Sequence, residues 1–186
     1  MRSRSGILAV LAVATLLAGV ATGQPAASQV VRDLRGRFTI IVPVTWHIKQ
    51  LLEGDPALAA TASGEAGTLP DSVDVVVRGA PVGISAEGCI HQVEWITQHL
   101  AHISFTTVGE GPMMIRGLPA YTHTYTWRTR TGEDRWSMQA CVVAEHQCFV
   151  ITGTTINSPD RLREDASVLT TIIESFLPTP QLSWRR

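Results

Sequence analysis

An alternating pattern that begins at residue 121 constrains the fold of this 186-residue chain more than any other feature. Its first arm carries a ring side chain at every second position, and its second arm alternates in the same way: Tyr121, His123, Tyr125 and Trp127, then Trp136, Met138, Ala140 and Val142. A period of two is typical of a strand with one buried face. If Arg130 pairs with Arg135 across a turn at 131–134, both sets lie on one face. The pattern therefore predicts a β-hairpin.

A third strand, 148–155, extends this hairpin into an antiparallel meander. Its inward residues, Phe149 and Ile151, must share a face with Ala140 and Val142 of the preceding strand. Because side chains alternate with a period of two, the connecting loop must then contain an even number of residues.

Three further strands are predicted before the meander, because β-branched and apolar residues dominate 37–42, the segment beginning at His47, and 73–78. Between the last two, residues 53–72 are rich in glycine, alanine, proline and serine and show little periodicity. This composition predicts a long, mobile surface loop.

Two amphipathic helices complete the predicted elements. Ser85 can cap a helix that begins at Ala86, with a buried stripe formed by Cys89, Val93, Ile96 and Leu100. Ser158 and Pro159 are the N-cap and first-turn residues of a second helix, which ends near Phe176.

The N-terminus has the layout of a secretory signal peptide, predicted at residues 1–23. Arg2 and Arg4 precede a mainly apolar run at 7–20 that contains no charged residue. As a helix this run spans about 21 Å, less than the roughly 30 Å hydrocarbon core of a bilayer. The mature chain would begin near Gln24.

Small residues at Ala21 and Gly23 suit the signal peptidase subsites, and cleavage after Ala27 is an alternative. A retained N-terminal anchor also stays open. No cysteine follows Leu17–Gly19, where a lipoprotein signal would carry one. We therefore expect a secreted or periplasmic protein with no stable membrane insertion after cleavage.

Composition favours one domain and disfavours polyanionic partners. The net charge of −1 becomes −3 when the two leader arginines are subtracted, so the chain has no basic surface for nucleic acid. We assign residues 24–35 to a linker, 36–177 to the domain and 178–186 to a disordered C-terminal tail.

The layout resembles the PsbP-like superfamily, which includes photosystem II PsbP, the Ran-release factor, DcrB and LpqN-type secreted bacterial proteins. The resemblance covers about 36–177 and depends on Phe38–Pro43 followed by Trp46, on Gly117–Ala120 before the meander, and on Ile172–Phe176 at the end of the last helix. These motifs are packing features.

The resemblance implies an α+β fold, an α/β/α sandwich around an antiparallel β-sheet. It also implies a binding or accessory module without a shared active site. Members of this superfamily use different surfaces for different partners, so no functional residue is carried over to this chain.

The polar face of the first helix is the candidate partner surface. It carries Trp95 with His91, His99 and His102, and a large exposed aromatic residue often marks a contact surface. The three histidines and Glu94 are candidate metal ligands, but the set divides into two pairs more than two turns apart. We interpret it as a solvated face and predict no metal site and no cofactor.

No catalytic site is predicted. His123 lies on the apolar face of its strand without an assigned nucleophile or carboxylate, so we interpret it as a core histidine. The segment Gly83–Gly88 misses the Gly-x-Ser-x-Gly motif by one position, which leaves Ser85 as an ordinary N-cap. A threonine-rich face, predicted on one side of the sheet, consists of Thr122, Thr124, Thr126, Thr152 and Thr154.

The three cysteines are candidates for a disulfide, since export favours oxidation. An even loop leaves two registers: pairing Val143 with Cys148 places Cys141 and Cys148 on a diagonal at about 7 Å, whereas pairing the two cysteines directly allows a bond. We predict that Cys89 bridges Cys141 or Cys148, which leaves one thiol free.

The sequence thus predicts a non-enzymatic binding or accessory module whose partner is an unknown protein or small ligand, with no assigned oligomeric state. An alternative is a small-molecule or lipid carrier with a pocket between the sheet and the 53–72 loop. A hydrolase with an unrecognised site is third.

Overall fold

The computed structural model describes residues 27–64, 69–99 and 104–180. The predicted signal peptide, 1–23, lies outside the described residues, and so does most of the predicted tail, 178–186.

Ten strands and two helices form the described residues, and short connections join most of them. In chain order they are β1 (Ser28–Arg32), β2 (Phe38–Pro43), β3 (His47–Gln50), β4 (Leu58–Thr61), β5 (Ser72–Gly79), α1 (Ala86–His99), β6 (Phe105–Ile115), β7 (Leu118–Arg128), β8 (Asp134–Ala144), β9 (Gln147–Ile156), α2 (Pro159–Glu174) and β10 (Leu177–Pro178).

The main sheet has seven antiparallel strands in the order β3-β4-β5-β9-β8-β7-β6, and β1, β2 and β10 form a small second sheet. Cys148 of β9 packs beside Cys89 of α1, whereas Gly153 of β9 lies under Leu169 of α2. An odd spacing along a strand puts two residues on opposite faces. The two helices therefore cover opposite faces of the sheet, and the α+β expectation is confirmed.

Two predicted boundaries differ from the observed strands. The segment assigned to a linker, 24–35, contains β1, which pairs along its whole length with β2. At the other end, Pro178 pairs with Phe38 and Thr179 donates a backbone hydrogen bond to the Arg37 carbonyl at 2.7 Å. The small sheet recruits both segments, because β2 has an unpaired edge on each side to satisfy.

The predicted loop at 53–72 is only partly correct. Within it β4 pairs with β3 and β5, and its Leu58 and Ala60 are fully buried. Alanine-rich composition concealed this strand, because small side chains contribute little hydrophobic periodicity. Residues 65–68 lie outside the described residues.

The predicted register of the first hairpin is wrong. Trp127, rather than Arg130, pairs with Arg135, and the exposed Arg128 closes the strand end with two hydrogen bonds to Asp134 at 2.7 and 3.0 Å. The shift of three residues moves the ring face of β7 to the α1 side, while Met138 remains on the α2 side. The prediction assumed one buried face, whereas helices cover both.

The loop of the next hairpin has an even number of residues, as predicted. Ala140 pairs with Ile151, and Val142 with Phe149. The two-residue turn at Glu145 and His146 has φ values of 49° and 58°, as a type I′ hairpin requires. Of the two registers left open, the one that pairs Val143 with Cys148 is observed.

The main core lies between the sheet, α2 and the small sheet. Phe38, Phe149 and Phe176 are fully buried or nearly so, and their ring centroids lie 5.3 to 6.2 Å apart. Neither described helix has the length and hydropathy needed to span a bilayer.

Candidate functional site

The first helix presents a different face to the sheet from the one predicted. Cys89 is buried as expected, but Ile96 is 40 % exposed and Ile90 is fully buried. Glu94, predicted on the solvated face, turns toward β7 and keeps only 20 % of its side chain exposed. Leu100 lies outside the described residues. The helix is rotated because the sheet beneath its second half offers a polar partner for Glu94.

That partner is His123 of β7, whose side chain is 1 % exposed. Its Nε2 lies 3.0 Å from Thr107 Oγ1 on β6, and its Nδ1 lies 2.8 Å from Glu94 Oε1 on α1. Neither Nδ1 nor Oε1 completes a hydrogen bond of good geometry among the described residues. His123 is therefore held between two elements, with one ring nitrogen facing a carboxylate.

Aromatic rings enclose His123 on its other sides. The Phe105 ring centroid lies 5.3 Å away edge-on, and the Tyr125 ring is stacked at 5.0 Å. Burial raises the pKa of Tyr125 to about 12, so its hydroxyl is neutral at physiological pH.

Burial is also the largest influence on His123, and it lowers the pKa of this imidazole. The charges of Glu94 and Glu110 act in the opposite direction, and that of His91 adds to the lowering. Desolvation wins because the ring has almost no contact with water.

Glu110 of the edge strand β6 and His91 of α1 extend the cluster toward solvent. His91 Nε2 lies 3.9 Å from Glu110 Oε2, and both side chains are about half exposed. One donor atom from each of Glu94, Glu110 and His123 lies within 4.8 Å of the others. Nitrogen and carboxylate donors at this spacing can hold a cation or position a polar ligand.

The hydrolase interpretation gains little from this arrangement. Thr107, His123 and Glu94 stand in the order hydroxyl, imidazole, carboxylate, but the ring is sealed by its neighbours on the helix side. Ser85 accepts a hydrogen bond from the Gly88 N–H at 3.0 Å, which is the predicted N-cap role.

The threonine-rich face is wrong as predicted. Thr122 and Thr124 pair with Ala140 and Met138 on the α2 side, whereas Thr152 pairs with Gln139 on the α1 side. The register error in the first hairpin caused this, since an odd shift exchanges the faces of a strand.

Three cysteines meet beneath the first half of α1. Cys89, Cys141 and Cys148 are buried, free, and placed with their Sγ atoms within 4.8 Å of one another. A hydrogen bond to Cys141, and then burial, raise the pKa of Cys89; burial raises the pKa of Cys148 to about 12. The thiols of Cys89 and Cys148 are thus protonated at neutral pH. A Cys89 bridge remains a prediction that this proximity favours.

The predicted partner surface is only partly described. Trp95 is 54 % exposed on the outer side of α1, while His91 packs edge-on against Tyr121 with the ring centroids 6.1 Å apart. His99 ends α1, and His102 lies outside the described residues.

A cleft of about 390 Å³ borders the 53–72 segment, where the carrier hypothesis placed a pocket. Its walls include Ser63, Leu69 and Ile156, and the charged pair Asp71 and Arg161 crosses it with 3.6 Å between Oδ2 and Nη2.

Sequence reasoning missed the contact of His123 with Glu94, and it missed Glu110 and Thr107 altogether. One signal was available: a histidine within an aromatic strand that must be covered by a helix needs a polar partner on that helix. The predicted rotation of α1 placed Glu94 on the solvated face, so Glu94 was not identified as the partner of His123.

Comparisons with known proteins found similarity only among solved structures; no family model and no curated protein matches this chain. The solution structure of cyanobacterial PsbP (CyanoP) from Synechocystis sp. PCC 6803 superimposes with a TM-score of 0.65 and 13% identity, covering 88% of this chain and 99% of that one.

Two further structures share the architecture. A variant of Mog1 gives a TM-score of 0.56 at 13% identity, covering 81% of this chain and 95% of its own. LpqN of Mycobacterium tuberculosis gives a TM-score of 0.52 at 16% identity, covering 86% of this chain and 88% of its own. Identities this low show a common fold, and they assign no function.

Proposed function

We propose that this chain, whose fold is the PsbP-like fold, is an exported, non-enzymatic binding or accessory module of the cell envelope or the extracellular space. The observation that carries the proposal is the outer face of α1, where the consecutive residues Trp95 and Ile96 are 54 % and 40 % exposed. Exposed aromatic and aliphatic side chains on a rigid helix are typical anchors of a protein interface.

The state of the core supports a protein partner over an apolar ligand. The three phenylalanines between the sheet and α2 contact one another, so that layer is filled by side chains. Binding then takes place on a surface, and α1 is the helix with a large exposed aromatic residue.

Export is supported by the N-terminal sequence and by one comparison. Residues 1–23 have the charged and apolar regions of a leader. LpqN, which shares the fold, is described as involved in cell envelope biogenesis. An envelope location for this chain agrees with both.

The carrier remains the second candidate because of the cleft beside the 53–72 segment. Its volume of about 390 Å³ suits a small molecule. The Asp71 and Arg161 pair favours a polar ligand over a lipid, since an acyl chain would leave both charges without water.

Site-specific photo-crosslinking tests the proposal. A photoreactive amino acid replaces Trp95 in the full chain with its leader, produced in the native organism, and a matched chain carries it at Val168, which is 39 % exposed on α2. We expect one discrete protein adduct from position 95 and none from position 168.

Equal adducts at both positions, or none at either, would contradict a partner on α1. In that case a small molecule retained by the purified chain in native mass spectrometry, and lost from Asp71→Ala, would support the carrier instead.

A further inference from the structure

The facing atoms of Glu94 and His123 pose a problem in electrostatics. If the His123 Nε2–H donates to Thr107 Oγ1, which lies 3.0 Å away, then the Nδ1 lone pair points at a carboxylate oxygen only 2.8 Å away. Two acceptors at this distance repel each other unless a positive species stands between them. Both atoms lack any other hydrogen-bond partner among the described residues.

A proton on Nδ1 would answer only part of this problem. It would leave the ring neutral, with the Thr107 hydroxyl donating to Nε2, but it would not give Nδ1 and Glu94 Oε1 a hydrogen bond of good geometry. It would also make no use of Glu110, whose carboxylate completes the group of three donors. A metal ion can bind all three donors at once.

The spacing suits such an ion. Zinc binds nitrogen at about 2.0–2.1 Å and carboxylate oxygen at about 2.0–2.2 Å, so tetrahedral ligands lie about 3.3 Å apart. The pair at 2.8 Å has to open slightly, and the widest pair, within 4.8 Å, has to close. Glu110 can make that movement because its side chain is 44 % exposed on the edge strand.

We propose that Glu94, Glu110 and His123 form a binding site for a divalent transition-metal ion of the zinc class. His91 supplies the fourth position, since it precedes Glu94 by three residues on α1 and its Nε2 lies 3.9 Å from Glu110 Oε2. Imidazole and carboxylate together suit zinc and its first-row neighbours.

Thr107 has the supporting role expected in such a site. A ligating histidine usually directs its other ring nitrogen to a hydrogen-bond acceptor, which sets the tautomer and the ring orientation. The hydroxyl of Thr107 provides that contact from β6. The bound ion would join α1 to β6 and β7, the two strands at one edge of the sheet.

The test uses the purified chain without its leader, stripped of metal by a chelator and titrated with Zn²⁺ alone in a calorimeter. We expect one ion per chain, a rise in Tm with zinc concentration, and at least about a tenfold weaker affinity in Glu94→Gln and in Glu110→Gln. Glu87→Gln, an exposed carboxylate in the first turn of the same helix, is the matched control and should bind as the parent does.

The buried cysteines require a separate measurement of the ligand atoms, because thiolates also bind zinc. X-ray absorption at the zinc edge should show only nitrogen and oxygen ligands, whereas sulfur ligands at about 2.3 Å would overturn the assignment. No zinc binding, or equal affinity in the parent and Glu110→Gln, would overturn it as well. Glu110 is half exposed, so its variant is expected to fold.

Discussion

At the scale of single residues, Arg135 joins two distant parts of the sheet. Its side chain is about 1 % exposed, and it donates hydrogen bonds to the carbonyl oxygens of Leu69 and Pro70 at 2.9 and 3.1 Å. Glu133 lies 3.6 Å from the guanidinium and balances its charge. This arginine therefore holds the segment that leads into β5.

Arg135→Met should destabilise the fold by about 2–3 kcal/mol, because it removes charge-assisted hydrogen bonds from a buried position. Arg128→Met is the matched control in the same hairpin: its ion pair with Asp134 is exposed, so its loss should cost much less than the loss of Arg135. Urea denaturation of both variants measures the difference. Equal losses would show that burial of Arg135 adds nothing.

Asp33 shows how a carboxylate can be buried in a turn. It accepts hydrogen bonds from the backbone N–H, Nε and Nη2 of Arg37 at 3.2, 2.7 and 3.0 Å. Burial raises the pKa of Asp33, but the hydrogen bonds and charge of Arg37 outweigh burial, so the pKa is lowered from its usual 3.8. A lowered pKa means stability that is present above about pH 4 and lost in more acidic solution.

Asp33→Asn should therefore cost about 1–3 kcal/mol at pH 7, because the amide cannot accept the bidentate contact. The difference from the parent should shrink in denaturation experiments at pH 3, because below about pH 4 this carboxyl group binds a proton more readily in the unfolded chain than in the folded one. A difference that stays constant from pH 7 to pH 3 would contradict the assigned role of this ion pair.

At the scale of elements, α2 rests directly on β9 at Gly153. A Cβ atom built on this glycine would lie 3.1 Å from the Leu169 Cβ and 3.3 Å from the Ile173 Cδ1. Such close approach lets the helix lie flat on the middle of the sheet, and it leaves no space for a side chain.

Gly153→Val should destabilise the fold by about 1–3 kcal/mol through overpacking. Gly111→Val is its control, since a Cβ atom at this position of the edge strand β6 would meet nothing within 4 Å. Thermal unfolding of the two variants makes the comparison. A milder effect at Gly153 than at Gly111 would mean that α2 shifts freely on the sheet.

The other helix, α1, is tied to the sheet where the three cysteines meet. In the observed register Cys141 pairs with Val150 and Cys148 with Val143, so the two sheet cysteines are diagonal neighbours. Cys89 approaches both from the helix. A bond from Cys89 would fasten α1 to the sheet, whereas a bond within the sheet would leave the helix untied.

Peptide mapping of the exported protein under non-reducing conditions should find Cys89 linked to Cys141 or Cys148, with one free thiol per chain. Cys89→Ala should lower the Tm more under oxidising conditions than in reductant, because only the oxidised parent contains the bond that the substitution removes. Mapping that always finds Cys89 free would remove this prediction.

At the scale of the whole molecule, the main sheet is covered on both faces, and the first and last described strands, β1 and β10, both pair with β2. The Val44 N–H donates to the Ala27 carbonyl at 2.9 Å, one residue before β1 begins. Cleavage after Ala27 would remove this residue with the leader, and the hydrogen bond from Val44 would be lost. Of the two cleavage positions, the one before Gln24 preserves the contact.

We therefore expect the exported protein to begin at Gln24, as intact mass measurement would show. Gly23→Leu should block processing, because signal peptidase requires a small residue before the cleaved bond. A mature N-terminus at Ser28 would contradict the argument from the Ala27 carbonyl, and an uncleaved chain would support the retained anchor.

Local patterns in the sequence determined most elements of this protein, and the resemblance carried by those elements implied its fold class. In the β8–β9 hairpin the inward apolar residues were enough for an even loop, which left two registers open. The N-cap at Ser85 was enough for the start of α1. These features involve neighbours in the chain, so the sequence alone predicts them.

Only the tertiary structure decided the β7–β8 register, the rotation of α1 and the meeting of Glu94, Glu110 and His123. Alternation in β7 shows that its two faces differ, but it does not show that helices cover both faces. Coverage of both faces places the ring side chains of β7 on the opposite side of the sheet from Met138, contrary to the prediction. The site depends on contacts among three elements that are distant in the chain. Their juxtaposition follows from packing both helices on one sheet, which no short segment encodes.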